Sequence, residues 1–152
     1  MTGPSFRFRL ERVRAVRERK EKLAQQELAR AVSRRSTTEA ELRSAEIELA
    51  QAHIEQRSAC AEPRTMNADE LVARQAFLER VEAERRMRAV ELEQRDLEVA
   101  SRDAELAHAA SEHEMLNRLR ERHRGEHDRE VARRERSILD EIASVRFRRS
   151  PA

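Results

Sequence analysis

Tryptophan and tyrosine are absent from this sequence, and phenylalanine occurs four times. That leaves too few bulky side chains to fill a layered core. Two glycines and three prolines are too few to turn the strands of a sheet. With Gly3 and Gly125 the only glycines, no Gly-rich phosphate loop exists, which excludes the P-loop and the dinucleotide-binding fingerprint. The single cysteine, Cys60, excludes an intramolecular disulfide and fits a reducing, cytosolic compartment. No apolar run approaches the ~18 residues of a membrane span, and the N-terminus lacks the apolar stretch of a secretory signal. The expectation is a soluble protein that meets a membrane only through partners or its surface.

What the 152 residues do contain is charge: 41% are Asp, Glu, Lys or Arg, against roughly 25% in an ordinary domain. Alanine, glutamate, arginine and leucine are enriched, the signature of a long helix or coiled coil. Disorder is the competing class for so charged a chain, but Leu and Val recur at helical spacing. The net charge of +2 hides an uneven distribution. Residues 1–24 carry 8 basic and 3 acidic side chains, and residues 118–149 carry 11 basic and 7 acidic. The body between them, 25–117, holds 13 basic and 20 acidic. Basic ends on an acidic body are a statement about partners.

One stretch breaks the pattern: CAEPRTMNADE, residues 60–70. Pro63 cannot sit in a helix interior, and Asn67 followed by Glu70 reads as an N-cap with its capping-box partner. The fold class expected is therefore all-α within a single domain: helix 1 over about 8–61, a turn at 62–67, and helix 2 over about 68–146. Residues 1–4 and 150–152 are expected to fray. The alternation of Phe6, Phe8 and Leu10 is too short for a strand and has no partner.

Helix 1 carries Leu28, Leu42 and Leu49 at seven-residue multiples, with Ala31, Ala45, Ala52 and Ala59 three places on. Helix 2 carries Leu71, Leu78, Leu92, Val99 and Leu106. A sustained seven-residue period predicts a coiled coil, and a short linker between long helices predicts an antiparallel hairpin. Residue i then lies opposite roughly residue 130 − i, with the longer C-terminal helix overhanging by roughly 30 Å. Arg35 and Arg85 interrupt the apolar rows. This register predicts Asp96 beside Arg35, and Glu46 or Glu48 beside Arg85.

The sequence HRGEH, 123–127, matches a zinc-peptidase pattern of two histidines and a glutamate on one helix. A third ligand and an enclosed cavity are missing, and Gly125 weakens the helix at that point, so a solvated turn is the better reading. His108 and His113 are five apart, which suits surface residues. No catalytic residue, metal site or cofactor is expected.

The basic stretch FRFRLERVRAVRERKE, 6–21, has three readings. Arginines on phosphates with stacked phenylalanines would bind nucleic acid. Phe and Leu in a lipid interface would bind a membrane surface. Phe6, Leu10 and Val13 in a socket with acidic walls would bind a protein. The acidic body offers no basic stripe for nucleic acid. Phe6, Phe8 and Phe147 cluster at the termini and Phe77 lies near the turn. This suits a connector with a contact surface at either end, or leaves Phe77 as a seam residue beside Leu78.

FRFRLERVRAVRERKEKLAQQELARA resembles the N-terminal segment of the FliJ family of bacterial flagellar export proteins, where F-x-L-E-x-[VL] opens a charged helix. LRERHRGEHDREVARRERSILDEIA, 119–143, is similar to the family's C-terminal end. The resemblance implies an antiparallel coiled coil like the stalk subunit of rotary ATPases. It implies a soluble part of the type III export apparatus, cytoplasmic and peripheral to the cell membrane at the flagellar base. Its partners would be a hexameric export ATPase, the cytoplasmic domain of the export gate protein, and export chaperones. By resemblance Phe6, Leu10, Val13, Arg14 and Arg17 would sit in the ATPase pore, and Phe77 and Val81 would meet the gate. Glu84 and Arg88 stand where the family has a small residue and a histidine. The injectisome counterpart of the stalk, and a nucleic-acid-binding or scaffolding coiled coil, are the alternatives. No nucleic acid and no membrane insertion are expected. A hairpin satisfies its own seam, so a monomer is expected.

Overall fold

The structure, a computed structural model, describes residues 5–61 and 67–149. Two helices account for nearly all of them: α1, Glu11–Ala61, and α2, Ala68–Arg149. No strand occurs among the described residues. The contacts between α1 and α2 are those of a helical hairpin. Pro63, most of the expected turn, and the two expected frayed ends lie outside the described residues.

The helix ends follow from local bonding. α1 begins at Glu11, later than the Phe8 expected. Glu11 N–H donates to the Phe8 carbonyl at 3.2 Å, a tight turn, and the α-helical ladder begins only with Arg14 N–H on Leu10 O at 2.9 Å. Phe8 is thereby left non-helical and free to turn its ring inward. α2 opens with Leu71 N–H on the Asn67 carbonyl at 3.2 Å, which puts Asn67 at the N-cap position. Asp69 and Glu70 complement the helix dipole there. At the other end α2 runs on to Arg149, past the expected Arg146. Arginines at 146 and 148 favour a helical last turn. Gly125 is helical like its neighbours.

The chain divides into two compact units. One comprises residues 23–106. Its α1 row is Ala31, Thr38, Ala45 and Ala52, seven apart and all buried. Ala31 is 0% exposed. Thr38 completes the alanine row, its hydroxyl donating to the Arg34 carbonyl at 3.1 Å and so leaving no polar group unpaired. Leu28, Leu42 and Leu49 flank this row, half-buried. On α2, Leu78 and Val81 are buried, each contributing about 1.5–3 kcal/mol, and Leu92, Val99 and Leu106 are half-buried. Leu71 is exposed and is no part of the seam, because it lies in the first turn of α2 where α1 is ending.

At 88, 95 and 102 the inward row of α2 is arginine, half-buried each time. The small residues of α1 leave room for such stems to lie along the seam while the charged heads reach its edges. Arg95 Nε is shut from solvent without a hydrogen bond, while its terminal nitrogens reach Glu98 at 3.2 Å and Glu91 at 3.4 Å. Interhelical ion pairs set the register: Arg34–Glu98, Arg35–Asp96, Arg88–Glu41 at 2.8 Å and Arg85–Glu46 at 3.5 Å. Arg35 and Arg85 thus have the partners that the seven-residue pattern predicts.

The other unit comprises residues up to 22 and from 107 onward. Its interior is largely polar. Phe8 and Ala109 are its buried apolar residues among those described. From Arg133 to Arg148 every residue of α2 is exposed. Of the apolar side chains there, Ile138, Ile142 and Val145 recur at four and three residues as one exposed helix stripe, with Leu139 and Phe147 off it.

Candidate protein-interaction surfaces

In the unit that carries both chain ends, the segment before α1 is fastened by aromatic contacts. The Phe8 ring meets His123 edge-on at 5.9 Å between centroids and 71° between planes. The Phe6 ring meets His127 at 5.7 Å and 57°. Phe8 is only 8% exposed. The two histidines of HRGEH, four residues apart on one face of α2, are therefore platforms for the two phenylalanines. Among the described residues, no group of three or more His, Cys, Asp or Glu is placed to hold a metal ion.

Arg14 and Arg17 are turned into this unit. Arg14 donates twice to Glu11 Oε1, at 2.7 and 3.0 Å, and once to Asn117 Oδ1 at 3.4 Å. Its guanidinium lowers the Glu11 carboxyl below the usual carboxylate range, and Glu11 in turn raises Arg14. Arg17 pairs with Glu112 across the helices. Glu18 is lowered chiefly by its hydrogen bond from Lys22.

Asn117 then relays the polarity. An arginine can only donate, so Asn117 turns its oxygen to Arg14 and its Nδ2 to His113 Nε2, 3.2 Å away. Nε2 must accept, so the His113 proton sits on Nδ1 and is donated to Glu21 Oε2 at 2.6 Å. Four side chains from two helices form one directional chain. Sequence reasoning placed His113 on the surface; its position seven residues after Leu106 was the signal that it continues the inward row.

Leu10 and Val13 stand exposed in the same unit, as do Arg7, Arg9 and Arg12. Of the residues expected to meet an ATPase, these two leucine and valine side chains are outward, Phe6 is half-covered by His127, and Arg14 and Arg17 are spent on internal pairs.

In the unit of residues 23–106, Phe77 is 37% exposed, with the Arg80 guanidinium 5.3 Å above its ring. Ala52, Glu55, Gln56 and Ala73 line a shallow groove with it. Val81, grouped with Phe77 by sequence, is 3% exposed. It lies three residues after Leu78, on the inward side of α2, and its contact is with the seam. The expectation that both would face a partner is corrected for Val81 by that burial.

No helix among the described residues is long and apolar enough to cross a membrane. No curated protein and no solved structure matches the chain. A family model described as Flagellar FliJ protein matches residues 6–152. That span takes in the aromatic-fastened segment before α1, both helices and the whole C-terminal run of α2, and on it the chain belongs to the flagellar FliJ protein family.

Proposed function

We propose that this chain is a non-enzymatic stalk of the flagellar protein export apparatus. The residues around Leu10 and Val13 seat in a hexameric export ATPase and promote its ring assembly and turnover. The part of the hairpin around Phe77 contacts the cytoplasmic domain of the export gate protein. Export chaperones are further partners, and the protein works as a monomer in the cytoplasm, held peripherally at the membrane by those partners.

Family membership over residues 6–152 supports the export role. The observation that carries the ATPase contact is the division of labour among the terminal residues. Arg14, through Asn117, and Arg17, through Glu112, join the two helices, so Leu10 and Val13 remain as an apolar pair on a basic surface formed with Arg7, Arg9 and Arg12. Apolar side chains ringed by arginine suit a socket with acidic walls. The exposed stripe Ile138, Ile142 and Val145 belongs to the same unit. At the gate contact Phe77 is the residue that touches the partner, while Val81 stays buried in the seam.

Leu10→Asp and Val13→Asp should each abolish stimulation of ATP turnover by the cognate export ATPase while leaving helicity unchanged, since both side chains are exposed. Turnover assays alongside circular dichroism check this. Normal stimulation by both variants removes this surface from the mechanism.

A further inference from the structure

The outward side of α2 carries a second pattern. From Ala83 to Ala104, positions spaced alternately four and three apart (Met87, Val90, Gln94, Leu97 and Ser101 between them) hold no charge, and every one is exposed. This is the spacing of a coiled-coil seam, repeated over three heptads, in a chain of which 41% is charged. Leu97 is 72% exposed and faces away from α1. Ala83, Met87, Val90 and Gln94 also line a shallow groove, with Arg86, Glu91 and Arg95 at its edges. The inward rows of the same helix, 78–106 and 81–102, are separate, so α2 presents two seams and α1 occupies one.

The flanks of this outward seam say what can fill it. On one side lie Glu84, Glu91, Glu98 and Glu105 at seven-residue intervals, and on the other Glu79, Arg86 and Glu93. Glu91, Glu98 and Glu105 share their charge with the arginines of the inward row. Glu84 and Glu93 make no ion pair among the described residues. A second copy of this chain would bring glutamate rows against glutamate rows, which like-charge repulsion disfavours. An anionic lipid surface is repelled in the same way.

We infer that the outward face of α2 between Ala83 and Ala104 is a docking seam for a basic amphipathic helix of a partner protein. Apolar residues of that helix would pack on Met87, Val90 and Leu97, and its flanking Lys or Arg would meet Glu84 and Glu93. The surface uses neither Phe77 nor the terminal segments, and it touches the gate reading only at Glu84, where the family has a small residue.

The test uses the full chain and two synthetic peptides of about four heptads, with leucine at the seam positions and either lysine or glutamate at the flanking ones. Fluorescence anisotropy should give saturable binding of the lysine peptide, at least about tenfold tighter than its glutamate twin and weakening with salt. The double change V90D/L97D should weaken it about tenfold or more with helicity intact, because both side chains are exposed. Reversing Glu84 and Glu93 to lysine should narrow the difference between the peptides. Equal binding of the two peptides, no saturable binding, or indifference to V90D/L97D would overturn the inference. A dimer in sedimentation that V90D/L97D dissolves would overturn it too, by making a second copy the occupant.

Discussion

His113 has one consistent protonation pattern in this fold because each neighbour has a fixed role. Arg14 donates, Asn117 passes the direction on, and Glu21 accepts. Nitrogen-15 spectra of the folded chain should show the proton on Nδ1; a proton on Nε2 would break the chain at Asn117. Asn117→Leu removes the relay and leaves Nε2 without its donor, which should cost about 1 kcal/mol in urea unfolding. A variant as stable as the parent would mean that the chain of bonds contributes nothing. Individual residues were the least legible feature of the sequence. Thr38 hid in an alanine row because its type is polar, although its place between Ala31 and Ala45 marked it as inward. Val81 reads as a partner contact beside Phe77, yet a separation of three from Leu78 puts it inside. Phe8 reads as the start of a helix, and only the turn that ends on its carbonyl frees its ring to reach His123.

At the scale of the element, the register of the two helices was written in the sequence, their outer boundaries less so. Seven-residue spacing is a geometric demand, so Arg35 and Arg85 found the carboxylates that counting assigns them. Both pairs are substantially solvated, so they fix register more than they add stability. Gly125 illustrates the opposite case. The residue suggests a bend, yet the helix passes through it, and a Cβ placed there would meet nothing within 4 Å. Gly125→Ala should therefore stabilise the protein by about 0.8–1 kcal/mol through helix propensity alone, read as a higher urea midpoint with unchanged slope. A lower midpoint would show that the glycine has a role the helix does not reveal. α1 starts at Glu11 rather than the expected Phe8 because tight turns and first helical turns share a residue preference.

Across the whole molecule, stability is spread thinly over ion pairs and small apolar residues. Among the described residues no large side chain is fully buried. Acid should therefore erode the fold gradually. Glu11, Glu18 and Glu98 lie below their ordinary value of 4.5 when folded, because Arg14, Lys22 and Arg34 respectively hydrogen-bond them. A carboxyl lowered by folding stabilises above its unfolded value and loses that contribution as pH falls through the folded one. The thermal midpoint should thus drop from about pH 4.5 downward. It should drop less steeply in the E11Q/E18Q/E98Q variant. An identical acid dependence would assign the loss to other groups. The partners of such a molecule were not legible from composition, which permits any of several contacts; the family match supplied the context, and the exposed residues supplied the candidates.

The directional chain through Arg14, Asn117, His113 and Glu21 has a consequence for the order of folding. Its members are joined by 103 and 92 positions of chain, whereas His53 and Glu82 meet across far fewer. Closing the longer loop from an open coil costs about 1 kcal/mol more than closing the shorter one. Pairing that begins beside the connection between the helices removes that difference one turn at a time. Residues 6–21 and 112–127 therefore pair last as the hairpin zips closed and part first as it frays, so amide exchange should report weaker protection there than nearer the connection between the helices.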